Sequence, residues 1–357
     1  AVEAATTSVN EQNVAMAYNS SAGEYLLVYE FDVAGDGSNL DIYGQRVAED
    51  GQLIGSSFAI MYSGNHERSP RVSFNSQRNE YLVVAEYDYD GLGLYEIYGQ
   101  RVSGSQLLGG PFDVTGGIFV YDNPKYHPTI TYNSDSDEYL IVFENDLNND
   151  TWRDLVILLL NGDGNIVDLV MQSASAGIHL AKPDLVYNPT ANEYIYVFEY
   201  KEAGGGYSWI AGRRMDSALG SLGSLISVAT YTGKKFTNPQ IIFNPDRNRY
   251  VTVSEYDFYG DGSELDSWIQ EVNADGTKGL WTVLGKSGTS MITPALAYSD
   301  TLAEYLLYYT YLNNGEYNVM ATRVKALDLS LPTGLLIPVA NKNGIKEENG
   351  RVAYNAI

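Results

Sequence analysis

The chain has 357 residues, 44% of them hydrophobic, with 45 acidic against 22 basic side chains and a formal charge of −23. Such a surface repels phosphate backbones, which argues against nucleic-acid binding. No apolar run is long enough to span a bilayer, and the absence of cysteine excludes disulfides and thiolate chemistry.

In chain order, the first residues read Ala1-Val2-Glu3-Ala4 without a Met, which suits a secreted product after removal of a signal peptide. Val2 to Thr7 reads as the end of a strand. A motif then recurs: Asn followed by Ser or Pro, a few variable residues, Glu-Tyr and an apolar run. It starts at Asn19, Asn75, Asn133, Asn188 and Asn244, and more weakly at Ser299. Tyr25, Tyr81, Tyr139, Tyr194, Tyr250 and Tyr305 mark the period, in the range that signals a solenoid, propeller or array. Each repeat reads as four short strands rich in β-branched and aromatic residues. In the first repeat these are Val14–Tyr18, Tyr25–Tyr29, Ile42–Val47 and a shorter one ending near Phe58. The third strand is echoed by Ile97–Val102, and other fourth strands end near Phe112, Ile226 and Ile337. Pro70, Pro128, Pro183, Pro239 and Pro294 are placed just ahead of first strands, where proline breaks no ladder. After the sixth repeat, Gly350 to Asn355 copies a first strand.

The predicted fold is an all-β, single β-propeller of six four-stranded blades, with seven as the alternative count and surplus strands at both termini. It forms one domain over 1–357, with repeats near 14–63, 70–118, 128–176, 183–232, 238–287 and 292–341. The surplus strands, carried by Val2, Thr7, Arg351, Val352 and Tyr354, either close the ring or pair with a neighbouring subunit.

The loops between second and third strands carry carboxylates. Asp32, Asp36 and Asp41 share their spacing with Asp257, Asp261 and Asp266. Asp146, Asp150 and Asp154 form a third set, and Asp88, Asp90 and Glu96 a fourth. Hard carboxylates on a Gly-bearing loop suit Ca²⁺, the expected cofactor; the competing reading is a solvated Asp-Gly hairpin. Glu30, Glu86, Glu144, Glu199 and Glu255 recur at second-strand ends, as metal ligands, partners of arginine, solvated charges or members of a glycosidase pair. His66, His127 and His179 all precede first strands, as proton-transfer groups or unrelated loop residues. Trp152, Tyr207, Tyr259 and Tyr317 lie in or beside the acidic loops and form a candidate ligand face with the histidines. No nucleophile elbow, phosphate loop, zinc motif or dinucleotide fingerprint is present.

The Tyr-rich repeat rhythm resembles secreted bacterial β-propeller repeat proteins over nearly the whole chain, and this resemblance implies an extracellular location. In carboxylate and glycine content, though not in residue order, the acidic loops resemble the Asp-rich calcium loops of integrin-type propeller repeats, which implies calcium. The leading functional expectation is a non-enzymatic structural or adhesive surface protein that self-associates through its terminal strands into filaments or a surface layer. The first alternative is a lectin-like carbohydrate-binding propeller with glycan partners. The second is a polysaccharide-active hydrolase or lyase. Even recurrence of the carboxylates argues against catalysis, which needs one asymmetric constellation.

Overall fold

The structure, a computed structural model, describes residues 11–37, 39–118, 123–202, 204, 207–285, 288–313, 315–331 and 336–340. Among these residues the secondary structure is entirely β, in six antiparallel four-stranded meanders, the fourth and fifth linked by one parallel pair, Ser208 with Lys235. Sheet 1 holds β1 (Glu11–Asn19), β2 (Glu24–Asp32), β3 (Leu40–Ala48) and β4 (Leu53–Met61). Sheet 2 holds β5 (Glu67–Asn75), β6 (Glu80–Asp88), β7 (Tyr95–Ser103) and β8 (Gln106–Asp113). Sheet 3 holds β9 (Tyr126–Asn133), β10 (Glu138–Asn145), β11 (Asp154–Asn161) and β12 (Ile166–Gln172). Sheet 4 holds β13 (Ile178–Asn188), β14 (Glu193–Glu202), β15 (Ser208–Asp216) and β16 (Ile226–Ala229). Sheet 5 holds β17 (Lys235–Asn244), β18 (Arg249–Asp257), β19 (Leu265–Asn273) and β20 (Lys278–Leu284). Sheet 6 holds β21 (Ser290–Ser299), β22 (Glu304–Asn313), β23 (Glu316–Lys325) and β24 (Leu336–Ala340). The expected all-β propeller of four-stranded blades is therefore the fold. The chain divides into two compact units at Ala176/Gly177, with sheets 1–3 in the first and sheets 4–6 in the second.

The second strands of sheets 2 to 5 are buried on both faces, and those whose neighbours are described feed two cores. In the first unit Tyr81, Val83 and Ala85 of β6 pack with Leu26, Val28 and Ile42 of sheet 1. Leu82 and Val84 of the same strand pack with Tyr139, Ile141 and Phe143 of sheet 3. In the second unit Tyr250 and Tyr256 of β18 face sheet 4, while Val251 and Val253 face sheet 6. This explains why second strands read as continuous apolar runs rather than alternating ones.

The repeat motif is a set of staples. Each Asn at the end of a first strand accepts backbone N–H groups of its own turn, as Asn19 does from Ser21 and Ala22 at 2.9 Å. Its amide reaches the following sheet: Asn188 donates to the Tyr250 hydroxyl at 2.9 Å and Asn244 to that of Tyr305 at 2.7 Å. The motif glutamate binds the arginine of the third strand through both oxygens. Glu24 meets Arg46 at 3.0 and 2.5 Å, Glu80 meets Arg101 at 2.8 and 2.9 Å, and Glu193 meets Arg214 at 3.1 and 2.6 Å. Sheet 5 reverses the signs, with Arg249 opposite Glu271 at 2.5 Å. In the Tyr-Gly-Gln-Arg-Val third strand, glycine makes room for an aromatic ring: a Cβ on Gly99 would sit 2.7 Å from Phe112 Cζ. Gln45, Gln100 and Gln270 donate to carbonyls where the third and fourth strands lose register.

Two strand placements differ from expectation, and one expectation falls outside the described residues. The prolines lie inside first strands, at bulges such as that between Arg68 and Arg71. A bulge leaves an unpaired position that tolerates a residue without an N–H. The fourth strand of sheet 4 begins at Ile226 rather than ending there. The predicted terminal strands, with Val2, Thr7, Arg351, Val352 and Tyr354, lie outside the described residues.

Candidate active site

The glutamates at second-strand ends are buried: Glu30, Glu86, Glu144, Glu199 and Glu255 are each 5% exposed or less. They reach across to the next sheet, where backbone N–H groups donate to them. Glu30 accepts from Ser69 at 2.7 Å, Glu86 from His127 at 2.8 Å, Glu199 from Asn238 at 2.7 Å and Glu255 from Thr293 at 2.8 Å. Each donor precedes a proline and sits in the left-handed region, with φ from 49° to 53°. The bulge turns that N–H out of its own ladder, and a buried donor needs an acceptor. The row is thus largely structural.

Glu144 binds the side chain at the bulge of its own first strand, as Glu30 binds Asn13 at 2.7 Å and Glu199 binds Lys182 at 3.3 Å, but here that side chain is an imidazole. Its Oε1 lies 2.7 Å from His127 Nδ1, and its Oε2 accepts from Arg153 Nη1 at 2.8 Å. The His127 backbone N–H meanwhile belongs to Glu86, so His127 is held by a carboxylate from each of two adjacent sheets. Arg68 donates from Nε to Glu86 at 2.6 Å, and its guanidinium carbon lies 3.6 Å from the centre of the Tyr95 ring. Arg153 lies 4.0 Å from the centre of the Tyr126 ring. Burial pushes the Tyr95 phenol up in pKa, against the lowering pull of Arg68. The His127 side chain is 45% exposed, whereas Glu144 is 2% exposed. An accessible imidazole whose Nδ1 faces a buried carboxylate presents Nε2 as the nitrogen able to exchange a proton with a ligand.

This cluster occurs once among the described residues. The positions equivalent to His127 carry Asn13, Ser69, Lys182, Asn238 and Thr293, all at positive φ. His127 and Glu144 were both visible as candidates in the sequence. Arg68, Tyr95, Tyr126 and Arg153 were not. The signal for them was divergence between aligned repeats, which a search for recurrence overlooks.

The other expected site residues are placed as follows. The acidic sets do not sit on single loops. Asp32, Asp88 and Asp257 end second strands, and Asp41, Glu96, Asp154 and Asp266 lie in third strands. Asp36, Asp90, Asp150 and Asp261 lie between strands, as does Asp146 just after β10. Asp32 and Asp257 hold their own turns, accepting from Gly35 and Gly37 and from Gly260 and Gly262. Asp88 accepts from Gly93, and Asp146 from Asp150 and Thr151. Burial pushes the Asp41, Asp154 and Asp266 carboxyls up in pKa. Glu96 is paired with Lys125. Among the described residues no three His, Asp or Glu side chains converge on a point that would hold an ion, so the calcium expectation gains no ligand set. His66 does precede β5, its Nδ1 accepting from Leu40 N–H at 3.3 Å. His127 and His179, expected before first strands, lie inside β9 and β13. Tyr207 bonds Thr230 at 2.6 Å, Tyr259 is 55% exposed in its loop, Trp152 donates its backbone N–H to Asp150, and Tyr317 lies in β23.

No family model matches this chain, and no curated protein matches it. Solved structures do. An α-L-arabinanase of Penicillium chrysogenum complexed with arabinobiose is similar with TM-score 0.59 at 13% identity, over 90% of this chain and 94% of that one. An α-L-arabinofuranosidase of Fusarium graminearum, in complex with an iminosugar inhibitor, has TM-score 0.55 at 15% identity, over 89% and 94%. A Hadza microbial sialidase has TM-score 0.53 at 12% identity, over 88% and 65%. These likenesses show the propeller fold. They also correct the leading functional expectation. Near-complete overlap with glycan-processing enzymes overturns the non-enzymatic, adhesive, filament-forming reading. The argument from even recurrence fails as well, because the His127 cluster is asymmetric. No helix among the described residues is long and apolar enough to cross a membrane.

Proposed function

We propose that this chain is an extracellular glycan-cleaving enzyme that hydrolyses a neutral polysaccharide, with arabinan the first to test. The observation that carries this reading is the likeness, over about nine-tenths of both chains, to two enzymes named for α-L-arabinosyl substrates. The His127 cluster supplies the chemistry. Cleavage of a glycosidic bond needs a proton delivered to the leaving oxygen or removed from the attacking water. His127 is the half-open group suited to that transfer. Glu144 orients the imidazole, and Arg153 holds Glu144. Glu86 fixes the backbone that carries the ring. A neutral substrate follows from the charge of −23, which repels polyuronates.

The test is release of reducing ends from arabinan, galactan and xylan. His127→Asn is the informative variant, because Asn13 and Asn238 already occupy equivalent positions at φ 51°. The fold should survive while turnover falls by about 10²-fold or more. Turnover equal to wild type would remove His127 from the mechanism, and no turnover of any polymer by wild type would overturn the reading.

A further inference from the structure

The second unit carries a feature that the His127 cluster does not use. Sheets 4 and 5 border an open cleft of about 570 Å³, within the range of small-molecule sites. Arg214 of β15, Leu225 and Ser227 line one side; Asp275, Thr277 and Lys278 of the β19–β20 hairpin line the other. The hairpin is fixed, since Asp275 accepts the Thr277 N–H at 2.9 Å and its hydroxyl at 2.6 Å. Arg214 is anchored by Glu193. The polar groups are therefore preset rather than loose.

Three residues beyond Lys278 on β20 stands Trp281, 59% exposed. Its indole stacks flat on Trp268, with ring centres 4.5 Å apart and planes at 2°. Trp268, itself 7% exposed, is braced by the rings of Phe236 and Tyr256, each 5.4 Å away. The outer indole is thus pinned, so a ligand stacking on it loses little side-chain freedom. Three residues of strand span roughly 10 Å, a distance that a short oligosaccharide covers.

We propose that this cleft and Trp281 form an auxiliary glycan-binding surface, built from residues that the His127 cluster does not use. The inference rests on the reading of the chain as a glycan-cleaving enzyme. The C–H face of a sugar ring complements the negative face of an indole. Its hydroxyls find donors and acceptors in Ser227, Asp275, Thr277 and Lys278. The net negative charge disfavours an anionic membrane or nucleic acid, and an exposed, braced indole beside fixed hydroxyl, carboxylate and ammonium groups matches a neutral glycan.

The experiment is native gel electrophoresis with arabinan, galactan or xylan dissolved in the gel, comparing wild type, Trp281→Ala and Trp281→Phe. Wild type should be retarded by at least one polymer. Trp281→Ala should lose that affinity by about ten-fold or more, the scale of one stacked aromatic, and Trp281→Phe should keep part of it. Turnover of short oligosaccharides should be the same in all three. Equal retardation of wild type and Trp281→Ala overturns the inference. So does the absence of any retardation when short oligosaccharides are still cleaved, an outcome that leaves the enzymatic reading standing. A wild-type dimer broken by Trp281→Ala, without retardation, assigns the surface to self-association and also overturns it.

Discussion

At the residue scale, what a side chain does here depends on what the next sheet offers it. At one inter-sheet position, Glu96 meets Lys125 as an ion pair, while the equivalent residues of the preceding sheets are Asp41 and Glu67, two carboxyls in contact. Glu67 is fully buried, and its remaining partner is the Ser63 hydroxyl at 2.5 Å. Burial, then the neighbouring Asp41, pushes Glu67 up from 4.5 to about 8. The folded form therefore binds a proton that the unfolded chain has released. This contribution to stability is full below about pH 4.5 and is lost as pH rises towards about 8. Glu67→Gln should flatten that part of the profile and be the more stable form at pH 8. Denaturation midpoints at pH 5 and pH 8 measure it, and an unchanged slope in the variant would remove Glu67 as the source.

At the scale of the element, the staples explain the repeat. The motif glutamate is buried, with Glu24 at 3% exposure, so its arginine neutralises a charge that water cannot reach. Breaking such a pair from one side typically costs about 3–5 kcal/mol. Sheet 5 shows that the pair works with its signs exchanged, since Arg249 and Glu271 stand where other sheets have Glu and Arg. The double variant Glu24→Arg/Arg46→Glu should therefore recover more than half of what Glu24→Arg loses. A double-mutant cycle by chemical denaturation reads this directly; no recovery would show that the surroundings of sheet 1 demand one polarity. Much of this was legible in the sequence. The Glu-Tyr and Gln-Arg-Val motifs recur, and recurrence is the mark of architecture. Their partners were not legible, because Asn244 and Tyr305 are a repeat apart and only the stacking of sheets brings them together.

At the scale of the whole molecule, the repeat period and the four-strand rhythm specified the propeller, because each strand is a short β-branched run closed by turn residues. The site was legible only in part. His127 and Glu144 stood among the candidates, but recurrence, which identified the fold, points away from a site built by departure from the repeat. His127 replaces Asn or Ser at a bulge, Arg153 stands beside Asp154, and Tyr126 takes the place of Arg68 one sheet on. None is conspicuous alone. The acidic loops recur in part for an architectural reason, since Asp32 and Asp257 cap their own Gly-bearing turns.

The central claim, that His127 transfers the proton in glycan cleavage, is tested most directly by chemical rescue. Glycine is the replacement of choice, because φ 49° at this position suits it without strain. His127→Gly should retain the wild-type melting temperature to within a few degrees and lose turnover of the polymer that wild type cleaves. Added imidazole should restore part of that turnover in proportion to its concentration. A variant that loses activity but ignores imidazole at every concentration, or one that keeps full activity without it, would contradict the account.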